Sequence, residues 1–226
     1  MLRAETFLTT AEREAINRAV IEAEKRTAGE IVPVVATESD GYDRAKDIGG
    51  LLFAVAALVA AWLLFQRVTP VEGDWAQGQQ LRLGLPAIVL IIVIGFVAGA
   101  FLTSRFGWLR RAFATDKEMQ QQVLRGAWEA FARFRVGRTQ GGTGILIYIS
   151  LFERMVCVLG DDPIAHKLEQ KNWDGIKDAI VAGIRGKHAG EALCEAITRC
   201  GDLLAQHFPI RPGDVNELPN ELRILN

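Results

Sequence analysis

The chain has 226 residues, half of them hydrophobic, and a formal net charge of -1, which excludes a global electrostatic attraction to nucleic acid. Its cysteines, Cys157, Cys194 and Cys200, form no C-x-x-C pair, and we expect buried, reduced thiols. The first 30 residues carry charges throughout and lack the apolar core of a signal peptide, which predicts that the N-terminus stays in the cytoplasm.

A helix is predicted to begin at Thr9 and to end at Gly29. The Thr9 hydroxyl can accept a hydrogen bond from the backbone N–H of Glu12 while the Glu12 carboxylate reaches back, which is a capping box. Apolar residues at helical spacing then predict a buried stripe formed by Ile16, Val20 and Ala23.

The next segment, 30–37, is nearly continuously apolar and β-branched. Such a run predicts a strand covered on both faces in an α/β protein. Pro33 cannot donate a ladder hydrogen bond, which indicates an edge position or a bulge. The acidic segment 38–43 that follows is interpreted as a solvated connector.

Two uncharged apolar runs, 48–65 and 83–104, predict a pair of membrane-spanning helices. A hydrocarbon core of ~30 Å takes about 20 apolar residues, and a helix satisfies every backbone polar group within the bilayer. The absence of ionisable residues inside either run argues against a transporter or proton pathway. We therefore interpret the pair as an anchor.

The orientation of this transmembrane hairpin follows from its flanking charges. The connecting loop carries only Arg67 and Arg82 as basic residues, whereas the two outer flanks are richer, with Arg44, Lys46, Arg105, Arg110, Arg111 and Lys117. The positive-inside rule places both termini in the cytoplasm.

Small residues recur four apart within the spans. Gly95 and Gly99 form G-x-x-x-G, and Ala56 with Ala60, like Ala57 with Ala61, repeats the spacing on the other span. This pattern lets helix backbones approach closely. It predicts packing either between the two spans or on the helices of a partner, including a second copy of the chain.

Basic and aromatic residues interleave directly after the second span. Arg105, Trp108, Arg110 and Arg111 could contact nucleic acid, but aromatic rings and arginines at the end of a span are typical of the membrane interface. We favour a lipid contact and expect no nucleic-acid partner.

The rest of the chain alternates helical and strand patterns. A capping box at 115–118 predicts a helix that ends at Gly137, and its buried stripe consists of Met119, Val123, Ala127, Phe131 and Phe134. The glycine-rich loop 138–144 runs from a helix into a strand, unlike a phosphate-binding loop. Runs 145–150 and 154–159 are joined so closely that they must form an antiparallel hairpin.

Three further helices and a tail complete the prediction. Asp162 is predicted to cap a helix with Pro163 at its first position. The later helices carry apolar stripes formed by Trp173, Ile176, Ile180 and Ile184, and by Leu193, Ile197, Cys200 and Leu204. The segment from 209 onward shows little pattern and is expected to be an extended tail.

This order of elements, with particular sequence segments, resembles the TPM domain family. The resemblance covers most of the chain outside the hairpin and is carried by segments 8–13, 27–35, 130–150, 153–154 and 158–161. Segments 205–209 and 216–220 look like those of a bacterial membrane-anchored branch in which a hairpin interrupts the domain.

The resemblance implies a three-layer α/β/α sandwich around a small mixed sheet. It further implies divalent metal binding and phosphatase activity, which some relatives have, with Asp-Asn-Gly before the second strand supplying oxygen ligands. The matching positions here are Gly142, Thr143 and Gly144, so the carboxylate is missing. This departure puts a Ca²⁺ or Mg²⁺ site, and metal-assisted hydrolysis, in doubt.

One end of the predicted sheet remains a candidate ligand or metal site. If strand 30–37 runs parallel to 145–150, both begin where strand 154–159 finishes. The side chains that could converge there are Glu30, Arg138, Thr143, Asp161 and Asp162. The alternative is structural, with Asp162 as a cap, Asp161 as a turn residue and Glu30 as a charge at the strand entry.

The sequence therefore predicts one α/β domain in two parts, 1–46 and 105–208, interrupted by the hairpin at 47–104 and followed by the tail 209–226. We expect a multi-pass protein of the bacterial inner membrane that binds unidentified membrane proteins and has no catalytic residues or required cofactor. The alternative function is a metal-dependent phosphatase.

Overall fold

The computed structural model describes residues 2–39, 42–65, 84–168, 170–210 and 213–226. The predicted loop with Arg67 and Arg82 lies outside these residues, as does position 83. The chain divides into two compact units, one formed by Met1–Asp40 with Lys117–Asn226 and the other by Gly41–Asp116. Residues 42–46 and 105–116, assigned above to the α/β domain, belong to the second unit.

The first unit is a mixed helical and β-sheet structure. Its elements are α1 (Ala4–Phe7), α2 (Thr10–Glu24), β1 (Glu30–Ala36), α6 (Asp116–Arg133), β2 (Gly144–Ser150), β3 (Met155–Gly160), α7 (Asp162–Lys167), α8 (Gln170–Arg185), α9 (Ala189–His207) and β4 (Arg223–Leu225). The second unit contains α3 (Asp43–Phe65), α4 (Leu85–Arg105) and α5 (Gly107–Phe113).

A small mixed sheet with the strand order β3-β2-β1-β4 organises the first unit. The predicted antiparallel pairing of β2 with β3 is confirmed. β1 pairs parallel to β2, which is the condition on which the candidate site depended. β4 joins parallel to β1 through Val34–Ala36. Within the segment predicted to be an extended tail, Arg223–Leu225 therefore form a strand of the sheet.

The position of Pro33 also differs from the prediction, because β1 is an interior strand without a bulge at this residue. Pro33 pairs with Ile147 of β2 on one side. On the other side β4 reaches only as far as Val34. Backbone N–H groups alternate sides: Glu30 N donates to Thr143 O, and Thr37 N donates to Leu225 O. The proline nitrogen therefore faces the side where no strand is paired with it, and no ladder bond is lost.

Apolar side chains on alternate positions of β2 enter two different cores. Ile145, Ile147 and Ile149 pack in a cluster that includes the stripes of α2, α8 and α9. Leu146 and Tyr148 pack in a second cluster with the stripe of α6. Because successive side chains of a strand point to opposite faces, helices cover both faces of β2. The predicted stripes are buried, except that Phe134 and Ile184 at their ends are half-buried.

The predicted start of α2 is confirmed, whereas two predicted helix ends are not. Thr9 N donates to Glu12 Oε2 over 2.8 Å, and Glu12 N donates to Thr9 Oγ1 over 3.3 Å. α2 ends at Glu24 rather than at Gly29. Ala28, which lies beyond this end, donates its backbone N–H to Phe208 O over 3.0 Å. α6 ends at Arg133 because Arg135 adopts a left-handed conformation (φ 58°), which terminates helices.

The three cysteines are unpaired, as expected from their spacing. Cys200 is buried in the first core, while Cys157 and Cys194 are half-buried. Burial raises the pKa of all three thiols, that of Cys200 to about 12. The reactive thiolate form is therefore disfavoured at neutral pH.

Candidate functional site

The beginnings of β1 and β2 and the end of β3 lie side by side, as the predicted site requires. Glu30 pairs with Gly144, and Ile145 pairs with Gly160. Glu30 N donates to Thr143 O over 3.1 Å, and Asp161 N donates to Gly144 O over 3.0 Å. The backbones at Glu30, Thr143 and Asp161 are thus close together.

The side chains at these positions are engaged separately rather than around a common ligand. Thr143 Oγ1 donates to Ala28 O over 2.7 Å. Asp161 Oδ1 accepts from Asp162 N over 2.9 Å and caps α7, so Asp161 and not Asp162 is the N-cap. Asp162 and Arg138 are exposed. Within the described part of the chain, no three His, Cys, Asp or Glu side chains form a group that could hold a metal ion.

The buried Glu30 instead forms an acidic pair with Glu24, which is half-buried at the end of α2. Glu24 Oε1 accepts a hydrogen bond from Ile31 N over 2.9 Å. This bond satisfies the edge of β1 at a residue that β4 does not reach. The pKa of Glu24 is raised to about 8, mainly by burial and to a smaller extent by the neighbouring Glu30 carboxylate, while the Ile31 hydrogen bond acts in the opposite direction. Glu24 is therefore largely protonated at neutral pH.

Residues 216–222 supply hydrogen-bond donors to this pair and to α2. Glu217 N donates to Glu30 Oε1 over 2.9 Å, and Asn220 Nδ2 donates to Glu24 Oε2. Leu222 N donates to Asn17 Oδ1 of α2 over 2.9 Å. Burial raises the pKa of Glu30 as well, opposed mainly by backbone N–H groups of Glu217 and Leu218. We name residues 213–226 the strap, because they run from this pair to β4.

A cavity of about 200 Å³ lies beside the acidic pair. Its walls come from the end of α2, the start of β1 and the strap, and the lining residues are Ile21, Glu24, Lys25, Thr27, Glu30, Ile210, Asp214, Val215, Asn216 and Asn220. Of the five side chains predicted to converge, only Glu30 lines it. The acidic pair was missed from the sequence because a glutamate at the end of an amphipathic helix is typical of a solvated surface.

A second cavity, of about 340 Å³, lies at the carboxyl ends of β1, β2 and β4. Its lining residues are Glu38, Ser39, Gly126, Glu129, Ala130, Arg133, Tyr148, Ile224, Leu225 and Asn226. Ser39 Oγ and Tyr148 Oη are 3.2 Å apart, and Ser39 N donates to Glu153 Oε1 over 3.0 Å. The carboxyl ends of parallel strands are a frequent place for ligands in α/β sheets. Glu38, predicted to be in a solvated connector, lies half-buried here.

No family model matches the chain. No curated protein matches it. Among solved structures, it is similar to the NMR structure of the BA42 protein from the psychrophilic bacterium Bizionia argentinensis. The similarity covers 99% of each chain, with a TM-score of 0.56 and 20% sequence identity. At this identity the likeness concerns the fold alone.

In the second unit, α3 and α4 pack through small residues. A Cβ on Gly95 would lie 2.8 Å from Ala54 Cα, and one on Gly99 would lie 2.9 Å from Gly49 O. Ala54 and Ala61 are buried, and Ala57 is half-buried. The predicted packing residues Ala56 and Ala60 lie instead on the exposed face of α3, since they are rotated by about 100° per residue from that contact.

The four residues predicted at the membrane interface have different environments. Trp108 is 70% exposed and Arg105 is exposed, whereas Arg110 is buried and Arg111 is half-buried. α5 contacts both α3 and α4, which accounts for the burial of Arg110 within this unit. In this structure Arg110 is enclosed within the unit, and the contact of these four residues with lipid stays a prediction.

Proposed function

We propose that this protein is a membrane-anchored, non-catalytic TPM-like module that binds other membrane proteins at the cytoplasmic face of the bacterial inner membrane. In this proposal the first unit is a three-layer α/β/α sandwich, and α3 and α4 form a transmembrane hairpin that interrupts it. Both termini are then cytoplasmic, as the flanking charges predict.

The observation that carries the proposal is the exposed apolar surface of α3 and α4. Segments Arg44–Phe65 and Leu85–Arg105 are long and apolar enough to cross a membrane, and only 22% and 11% of their most apolar windows are buried. Leu63 is 74% exposed and Phe101 is 67% exposed. An apolar surface of this extent is unfavourable in water and marks a contact with lipid or protein. Length, composition and exposure together favour lipid.

A topology experiment tests the anchor. We expect the full-length protein to stay in the membrane pellet after alkaline carbonate extraction. A reporter active only in the periplasm should be active when inserted at residue 74 and inactive when fused after Asn226. Replacing Leu58 and Val93 with arginine should release the protein from the pellet, because each central charge costs about 3 kcal/mol in a membrane span.

The matched control replaces Leu64 and Leu85, which are exposed at helix ends, with arginine. Arginine side chains at these positions can reach the interface, so this variant should stay in the membrane pellet. Extraction of the unmodified protein by carbonate, or reporter activity at Asn226, would contradict the anchor and its orientation.

A hydrolysis assay separates the binding function from the phosphatase alternative. We expect purified protein to show no metal-dependent hydrolysis of an aryl phosphate, because Asp161 caps α7 and Asp162 is exposed without a neighbouring carboxylate cluster in the described chain. Hydrolysis that requires Mg²⁺ or Ca²⁺ and disappears in Asp161→Ala and Asp162→Ala would overturn the non-catalytic assignment. Loss of activity with retained melting temperature would distinguish this from unfolding.

A further inference from the structure

We propose that two copies of this chain associate through the outer edge of β3, so that their two four-stranded sheets join into one continuous sheet. The two β3 strands lie antiparallel in this dimer, with Val158 of one copy opposite Val158 of the second copy. The contact uses the first unit alone. The proposal is therefore independent of membrane anchoring and goes beyond the binding function.

β3 is an outer strand of the sheet, and half of its backbone groups point away from β2. The strand order is β3-β2-β1-β4, and within the described chain no strand pairs with the other side of β3. Asp161 N donates to Gly144 O, so the odd-numbered residues at this end and along β3 bond to β2. The N–H and C=O groups of Val156, Val158 and Gly160 therefore lie along the outer edge.

The two edges of the sheet differ in how they are protected against pairing. β4, at the opposite edge, has only three residues, and the first of them is Arg223. β3 has six residues, with no charge and no proline among them. Lys177 of α8, which packs on β3, is directed to Asp174, with Nζ 2.6 Å from Oδ1. Short strands, charges and proline are the usual protection of an edge, so β3 is the edge suited to accept another strand.

The side chains of β3 are incompletely covered on both faces of the sheet. All six residues are half-buried, whereas every residue of β1 and β2 is buried. Val156 and Val158 pack against the first core, and Cys157 and Leu159 pack against the second. Opposite residues of an antiparallel pair stand on the same face and contact each other. A second β3 would therefore extend both cores across the contact.

The charges that flank β3 favour a second copy over an unrelated strand. With Val158 opposite Val158, Val156 of one copy lies opposite Gly160 of the other, and every outward-facing residue of the strand takes part. The same register brings the exposed Arg154 close to the exposed Asp162 of the second copy, twice by symmetry. In a register shifted by two residues, Arg154 would face Gly160 instead. The strand and its flanks are therefore complementary to themselves in one register.

Cysteine cross-linking of the full-length protein in detergent tests this register. In a background with Cys157 and Cys194 replaced by alanine, Val158→Cys should form a covalent dimer with oxidised glutathione. Opposite Cα atoms of a hydrogen-bonded antiparallel pair are about 5.5 Å apart, which suits a disulfide. Val156→Cys is the matched control on the same face of β3. Its two copies would lie about 14 Å apart along the strands, too far for a disulfide.

A charge exchange separates this contact from association through the transmembrane hairpin. We expect Arg154→Asp and Asp162→Arg each to weaken dimerisation about tenfold in sedimentation equilibrium, because like charges then meet at two symmetric positions. The double variant should restore the affinity to within about threefold, since it exchanges the two charges. Arg18→Asp makes the same charge change on α2, which packs on α9 and β1, and should have no effect.

The dimer should be weak, because two six-residue strands bury less than a standard interface of about 1,600 Å². A monomer at concentrations up to about 1 mM would overturn the proposal. Equal cross-linking of Val158→Cys and Val156→Cys, or none in either with the melting temperature retained, would also contradict it. A dimer unaffected by both charge variants would instead indicate association through the hairpin and would equally overturn the proposal. The anchor and hydrolysis experiments are unaffected by any of these results.

Discussion

Ending the chain after Phe208 is expected to unfold the first unit or to lower its free energy of unfolding by about 5 kcal/mol. This truncation removes β4, which is hydrogen-bonded to Val34–Ala36. It also removes Leu222 and Ile224 from one core and Leu218 and Leu225 from the other. Each such half-buried side chain contributes roughly 1 kcal/mol to the free energy of unfolding. The loss approaches the total stability of a typical domain, which is about 5–15 kcal/mol.

The loss of the strap also leaves buried polar groups without partners. Glu30 Oε1 would lose the Glu217 N–H, and Glu24 Oε2 would lose Asn220. Removing one partner from a buried hydrogen bond typically costs about 1–3 kcal/mol, unless water enters. The effect of truncation therefore exceeds the apolar contribution alone.

Denaturant unfolding of the full chain and of the truncated chain in detergent measures this prediction, followed by far-UV circular dichroism. Ile224→Asp should reproduce much of the loss, because it introduces a charge among partly buried core residues. Val215→Asp serves as the control in the same segment, since Val215 is 67% exposed. A truncated protein with the midpoint and amide protection of the full chain would contradict the role of the strap.

Replacing Glu24 with glutamine is expected to stabilise the protein at pH 9 by on the order of 3 kcal/mol. The pKa of Glu24 is about 8 in the folded state, mainly because of burial, against an ordinary value of 4.5. Between these values the unfolded chain has lost the proton while the folded chain retains it. Stability therefore falls as pH rises from about 4.5 to about 8 and then levels off. Glutamine has nearly the same shape and does not titrate, so it avoids this loss.

Unfolding free energies at pH 5, 7 and 9 in the presence of a chelator test the prediction. The difference between Glu24→Gln and the unmodified protein should be small at pH 5 and should grow towards pH 9. The Asn220 amide can rotate to present its oxygen to the new NH₂ group. Glu22→Gln is the matched control, because Glu22 is exposed on the same helix. An equal pH dependence in Glu24→Gln and Glu22→Gln would contradict a raised pKa at Glu24.

Much of the fold follows from local patterns in the sequence. Caps and apolar stripes depend on residues three or four apart, so the start of α2 at Thr10 and the buried faces of α6, α8 and α9 could be predicted. The strands β1, β2 and β3 follow from three apolar runs, and the short connection between the last two predicts their antiparallel pairing. β4 has only three residues, and its pairing with β1 depends on contacts that no local pattern carries.

The details of the sites were harder to predict, for physical reasons. Glu24 is half-buried and accepts a hydrogen bond from Asn220, which lies 196 residues away in the chain, so no helical periodicity distinguishes it from the exposed Glu22. In α3, alanines recur four apart on more than one face. The rotation that buries Ala54 and Ala61 rather than Ala56 and Ala60 is decided by the partner helix.

The interior position of β1 has a consequence for the order of events during synthesis. Both of its neighbours, β2 and β4, follow the apolar helices in the chain, and the last pairing joins Ala36 to Leu225. At about 5–20 residues per second, a ribosome needs on the order of ten seconds or more to make the intervening chain. If α3 and α4 are the membrane anchor proposed above, β1 has no paired strand while these two helices enter the bilayer. Insertion would then precede completion of the sheet, and the nascent strand would be the segment most in need of a chaperone.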